Sequence, residues 1–251
     1  MFDFEKIWSS FKDSAFYLSF EKTFIAEDRG MQLLEGLGVT LEITLVSAII
    51  GILLGIVVAI IRSAYDMNLS GKKCGNFWDF LLKVANGICN VYITVIRGTP
   101  VVIQLMIMYY IIMASSRNGI YAAFVAFGIN SGAYVAEIVR SGIMSIDKGQ
   151  FEAGRSLGFN YTQTMSKIII PQALKNILPA LGNEFIVLVK ETSIAGYVAL
   201  KDLTYVGNLI RSRTYEALFP LLTVAAIYLI IVMILTFLLG KLERRLRRSD
   251  H

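Results

Sequence analysis

Apolar residues in this chain come in long blocks that no charge interrupts. Ile43–Ile61, Gly98–Ser116 and Asn118–Ala136 each run 19 residues without a charge, and Ala217–Gly240 runs 24. A helix rises about 1.5 Å per residue and bilayer hydrocarbon is about 30 Å thick, so roughly 20 apolar residues cross it. A buried helix of a soluble enzyme can imitate one such block, but four in one chain fit a membrane protein. The pattern predicts membrane-crossing helices at about 39–61, 98–117, 118–139 and 216–240.

A fifth span is encoded differently. Residues 173–200 are helix-length and mostly apolar but carry Lys175, Glu184, Lys190 and Glu191, with Pro179, Gly182 and Gly196. A charge at membrane depth costs about 2.5–3.5 kcal/mol on insertion scales and survives facing a bundle interior or a watery path. This segment therefore reads as a broken span turned toward the interior. The predicted architecture is an all-α, polytopic transmembrane bundle of five spans occupying 39–240. An extracytoplasmic or interfacial extension (1–38) precedes it and a basic tail (241–251) follows. Composition agrees: 55% of residues are hydrophobic and 17% charged, beyond what a soluble core needs.

With five spans and the N-terminus outside, the inner segments hold thirteen Lys and Arg and the outer segments nine. The densest cluster, Lys241–Arg248, then lies inside. The net charge of +5 is thus accounted for by membrane topology and contact with lipid, and nucleic-acid binding is a poor explanation. The predicted location is a cell membrane, crossed several times.

Several chemistries are excluded. Cys74 and Cys89 make no disulfide scaffold and no metal-ligand spacing, and the single histidine, His251, is the last residue. No Ser/His or Cys/His arrangement is available to the interior, and no GxxxxGK[ST] phosphate loop occurs. The chain is expected to be no enzyme, to bind no cofactor itself, and to leave any ATP and Mg to another chain.

Phe4, Trp8, Phe11, Ala15 and Leu18 recur at helical spacing, so the N-terminal segment reads as a helix lying on the membrane or packed on the bundle. Tyr65–Asp79 is a polar inner loop with Ser70-Gly71-Lys72-Lys73. Phe80–Ile96 is apolar but, joined to the next span, too long for one crossing. It is expected partly at the inner surface, with the break at Arg97-Gly98-Thr99-Pro100 and Arg97 either snorkelling or functional.

Polar stripes mark two spans. Asn130, Tyr134, Glu137 and Ser141 follow at intervals of four, three and four and so share one face, beside Ser131. In the charged span Asn183 and Lys190 are seven apart, as are Glu184 and Glu191, with Thr192 and Ser193 beyond. Such stripes suit helices around a hydrated passage, where a zwitterionic solute needs acceptors for its ammonium and donors for its carboxylate. The alternative is that the charges lock helices together, as Glu137 and Arg140 can at i,i+3.

Residues 144–171 are too polar to cross. Asp147-Lys148-Gly149-Gln150 reads as an N-cap with a capping-box variant, opening a short helix to Leu157 that Gly158 stops. Ala153 and Gly154 on that helix would let another protein approach closely.

Here a resemblance enters. Glu152-Ala153-Gly154, then Gly158, then Ile168, Ile170 and Pro171 resemble the EAA loop of permease subunits of ABC importers, with Gly154 where alanine is usual. Arg97-Gly98-Thr99-Pro100, Gly132–Glu137, Gly149-Gln150, Pro171-Gln172-Ala173 and Lys190-Glu191-Thr192-Ser193 resemble signature segments of the polar amino-acid branch. The likeness covers about 36–240. It implies the MetI-like transmembrane domain of type I importers. Two such permease subunits, identical or different, would form the path, a cytoplasmic ATPase would receive each loop, and an external amino-acid-binding protein would deliver substrate. Glu152, Ala153, Gly154, Gly158 and Pro171 would carry coupling. Asn130, Ser131, Tyr134, Glu137, Asn183, Glu184, Thr192 and Ser193 are the candidates for the path. A secondary transporter would typically show an internal repeat, and none is evident between the halves. A membrane enzyme would rest on Glu137 and Glu184 as a carboxylate pair with nothing else in support.

Overall fold

The computed structural model describes residues 15–69, 75–116 and 118–248. Phe4, Trp8, Phe11, Ser70–Lys73, Cys74, Arg117 and His251 lie outside the described residues. The elements are α1 (Ala15–Phe20), α2 (Arg29–Asn68), α3 (Phe77–Gly98), α4 (Val101–Ile107), α5 (Ile120–Met144), α6 (Lys148–Ser156), α7 (Tyr161–Thr164), α8 (Ile170–Glu191), α9 (Leu203–Thr214) and α10 (Leu218–Arg248). Wider π turns extend α4 over Met108–Ile112 and join α7 to α8 over Met165–Ile169, and a 3-10 stretch, Thr192–Val198, prolongs α8. No strand occurs among the described residues, so the all-α expectation holds.

Four described helical stretches are long and apolar enough to cross a membrane: Phe16–Met67, Phe77–Gly98, Ile120–Met144 and Leu218–Leu246. Three coincide with expected spans. The fourth does not, because the apolar residues near 98–117 are divided otherwise than run-counting suggests. Phe77–Gly98 is one 22-residue helix, and the chain then breaks at Thr99 (φ −121°, ψ 146°) before only twelve further helical residues. Asp79, Lys83 and Arg97 interrupt the run without interrupting the helix.

The centre is α5, whose most apolar window is 67% buried, whereas that of α10 is 6% buried and faces outward. Helices approach most closely where side chains vanish. A Cβ on Gly51 would stand 2.9 Å from Ser131, one on Gly55 2.5 Å from Val135, and one on Gly128 2.6 Å from Ile50. Gly51/Gly55 on α2 and Gly128/Gly132 on α5 are thus two GxxxG faces pressed together, the arrangement by which membrane helices gain dispersion contacts without a hydrophobic driving force. Above them α2 turns hydroxyls inward. Thr40, Thr44 and Ser47 are each 0% exposed. Thr44 bonds Thr192 at 3.3 Å, Ser47 donates to the Phe124 carbonyl at 3.2 Å, and the Leu203 amide donates to Thr40 at 3.1 Å. In a dry interior these bonds satisfy groups that would otherwise cost stability.

The described part of the N-terminal segment packs on the bundle. Phe16 meets Phe219 edge-on at 5.1 Å, and Lys22 pairs with Glu216 at 3.2 Å beside the α9–α10 corner. α6 lies at one end of the bundle, called here the loop end.

Candidate functional site

Two groups of polar residues stand apart from the apolar packing. One is α6 at the loop end. Asp147 caps it, accepting from the Gly149 amide at 2.7 Å, as the sequence predicts. The box is incomplete, because Gln150 instead accepts from Gln172 at 3.2 Å; the full capping box opens the next helix, α7, between Asn160 and Gln163. Gly158 ends α6 at φ +78°, with Gly158 N–H bonded to the Arg155 carbonyl and Phe159 N–H to that of Gly154. This is the paired C-terminal motif that a left-handed glycine permits. Pro171 sits in the first turn of α8, where its missing N–H needs no partner.

Glu152 and Ala153 face outward from α6. Gly154 does not: it is buried, and a Cβ there would lie 2.7 Å from Thr164 Cγ2. The small residue accommodates the chain's own α7 and leaves the outward face to its neighbours, so the expectation that Gly154 admits a partner is corrected. Beside Glu152 a crevice of about 280 Å³ opens between α6 and the ends of α2 and α5, lined by Asp66, Met67, Lys148, Phe151 and Arg155 among others.

The second group lies within the bundle. Ser131 donates to Glu184 at 3.0 Å, tying α5 to α8. Asn130, 3% exposed, donates to Gln104 at 3.0 Å. Tyr134 lies under the Arg97 guanidinium, 5.1 Å from ring to cation. Asn130 is ten residues into α5, about 15 Å from its start, so the group is near mid-depth.

The other candidates are placed elsewhere. Glu137 accepts from Arg62 of α2 and pairs with Arg140 at 3.1 Å, while Arg140 reaches Asp66 at 3.1 Å. This four-membered network is the locking arrangement and joins α2 to α5 near the loop end. Thr192 is 0% exposed between α2 and α8, so it is a packing link with no open face. Asn183 is exposed on α8, turned away from the Ser131–Glu184 contact by one residue of helical rotation. Ser193 lines a shallow crevice of about 320 Å³ with Tyr197, Thr204 and Tyr205 at the end opposite the loop.

Sequence reading missed three features. The Thr40–Thr44–Ser47–Gly51–Gly55 face carries a period of four, three, four and four, a signal available but overlooked among apolar neighbours. Gln104 is a lone polar residue in an apolar helix. Asp202 is 0% exposed and caps α9, accepting from the Thr204 and Tyr205 amides at 3.1 and 3.0 Å. Burial raises its pKa from 3.8 to about 6, against those N–H donors, which lower it.

Residues 80–248 match the family described as binding-protein-dependent transport system inner membrane component. The chain belongs to this family. The permease is 41% identical over 221 residues to the arginine transport system permease protein ArtQ of Bacillus subtilis, covering 87% of this chain and 94% of the relative. It is 41% identical over 168 residues to the glutamine transport system permease protein GlnP of Escherichia coli, covering 65% and 77%. Its fold matches the solved structure of an amino acid ABC transporter with histidines at TM-score 0.76 and 39% identity, covering 86% and 94%. The MetNI methionine ABC transporter shares the fold at TM-score 0.73 and 22% identity. The permease is therefore a multi-pass membrane protein of the polar amino-acid ABC group, with the MetI-like fold, and not an enzyme family member.

Proposed function

We propose that the permease forms, with a second permease subunit, the path of an ATP-driven importer for a polar amino acid. Its loop end faces the cytoplasm and its N-terminus the outside, in keeping with the Lys and Arg excess. ATP and Mg bind a separate cytoplasmic ATPase, whose groove receives the outward face of α6, with Glu152 and Ala153 as contacts and Gly158 and Pro171 fixing the helix's ends. An extracytoplasmic binding protein delivers the solute. Relatives named for arginine and glutamine transport support the substrate class. The observation that carries the reading is the pairing of two features. A rigidly capped helix projects from the loop end, and a polar group built on Asn130, Ser131, Tyr134 and Glu184 stands at mid-depth. Closure of the ATPase pair would draw the two loop helices together and favour the outward-open arrangement, which is alternating access by differential contacts in two states. Glu184 offers an acceptor for an ammonium, and Tyr134 and the amides offer donors.

The test is uptake into vesicles holding the reconstituted complex, with labelled L-arginine and L-glutamine as probes. Uptake should require ATP, and Glu152→Lys should abolish stimulation of hydrolysis by the loaded binding protein while the complex still inserts. Uptake that follows an ion gradient without ATP would overturn the proposal, and normal stimulation in Glu152→Lys would remove the docking role.

A further inference from the structure

The break between α3 and α4 poses a problem that the chain solves with one side chain. Within hydrocarbon no water replaces lost helical hydrogen bonds, so a broken helix must satisfy its freed carbonyls internally. Pro100 lacks an N–H, and its ring excludes a helical bond to the carbonyl four residues earlier, that of Ile96. Through Gln104 the break lies beside Asn130 of α5, about 15 Å along that helix. Thr99 Oγ1 donates to the Val95 carbonyl at 2.9 Å. Gln104 Nε2 donates to the Ile96 carbonyl at 2.7 Å, and also reaches the Thr99 carbonyl at 3.1 Å and Thr99 Oγ1 at 2.8 Å.

The same side chain fixes the break to the bundle centre. Gln104 Oε1 accepts from Asn130 Nδ2 at 3.0 Å, and Asn130 Oδ1, buried, has no hydrogen-bond partner among the described residues. Arg97 stands two residues before the extended Thr99, exposed, over the ring of Tyr134. Tyr134 is one helical turn from Asn130 on α5. Gln104 therefore sets the position of Arg97 relative to the polar group without itself carrying charge.

We infer that Gln104 is a positioning residue of the translocation path, holding the α3–α4 break in register with α5 so that Arg97 is presented to the carboxylate of the amino acid. The inference rests on the mid-depth polar group being the path. Gln104→Leu orphans the Ile96 and Thr99 carbonyls and the Asn130 amide together, and the segment from Arg97 to Pro100 loses its fixed place.

The experiment is equilibrium binding of radiolabelled L-arginine, and separately L-glutamine, to the purified permease–ATPase complex without binding protein. Gln104→Leu should weaken binding about tenfold, the scale of one hydrogen-bonded contact to a charged group. In an Arg97→Ala background the same change should alter the dissociation constant less than about twofold, because Gln104 acts through Arg97. Unchanged binding in Gln104→Leu, or full additivity with Arg97→Ala, overturns the inference. Where Gln104→Leu does not assemble, Gln104→Asn should weaken binding, and adding Asn130→Gln should restore it by returning the lost methylene; no recovery counts against the amide pair. The underlying reading is separately testable. If Glu184→Gln weakens binding and Arg97→Ala does not, the path stands and the inference falls. If neither does, the reading of the polar group falls and the inference with it.

Discussion

Gly154 is the position where the loop pattern usually has alanine, so Gly154→Ala is the substitution that likeness alone would call harmless. The geometry says otherwise. The new Cβ would stand 2.7 Å from Thr164 Cγ2 and 2.8 Å from its Oγ1, and ordinary contact begins at 3.4 Å. Either α6 or Thr164 must move by about 0.7 Å. Thr164 is 3% exposed and donates to the Asn160 carbonyl at 3.1 Å, and α6 is held by its cap and by the Gly158 stop, so neither yields freely. Overpacking of this kind costs about 1–3 kcal/mol. Alanine returns about 0.5–1 kcal/mol of helix propensity, leaving a net loss centred on about 1 kcal/mol. Thermal unfolding of the purified complex should therefore show Gly154→Ala destabilising alone, and stabilising by about 0.5–1 kcal/mol once Thr164→Ala has cleared the space. Stabilisation by Gly154→Ala in the unaltered background, or the same effect in both backgrounds, would refute the reasoning.

Three further outcomes are expected. Gly55→Ala should cost about 2 kcal/mol or more, because its Cβ would meet not only Val135 at 2.5 Å but the Gly132 carbonyl at 2.9 Å, a backbone atom that cannot rotate away; detergent stability equal to that of the parent would contradict the GxxxG contact. Glu137→Gln leaves the Arg62 and Arg140 guanidiniums facing each other, and should cost about 1–3 kcal/mol, below the cost for a fully buried pair because these side chains are 16–26% exposed. A change in amino-acid selectivity with stability unchanged would return Glu137 to the path. Asp202, outside the membrane-crossing helices, holds its proton more tightly folded than unfolded, so its contribution is full below about pH 4 and is lost as pH rises through about 6. The rise from 3.8 to about 6 amounts to about 3 kcal/mol, and Asp202→Asn should flatten the pH profile of unfolding over that window; an unchanged slope would show that other groups set it.

Much of this arrangement is legible in the sequence, and the failures have a common cause. Runs of apolar residues located α2, α5 and α10, since those helices meet hydrocarbon or core along most of their length. In the charged segment Glu184 turns inward to Ser131, whereas Lys190 is exposed. Counting runs failed at Phe77–Gly98, where Asp79, Lys83 and Arg97 sit near helix ends and do not prevent crossing length. Spacing exposed Glu137 with Arg140 on one helix, but Arg62 and Asp66 belong to another, and helix-to-helix register is not written locally. Gly154 shows the same limit: its smallness was visible, the neighbour that requires it was not. Asp202 carries no local signal in the sequence, because its burial arises from α2 and the 3-10 segment closing over a polar loop residue.

The central claim is that the chain works as a permease subunit beside a separate ATPase. Its most direct test is purification of the tagged chain from its native membrane under mild detergent, with identification and stoichiometry of whatever remains bound. The account predicts an ATP-binding-cassette ATPase, together with one or two kinds of permease chain. Recovery of the chain without any ATPase, while vesicles containing it alone accumulate amino acid on an ion gradient, would contradict it.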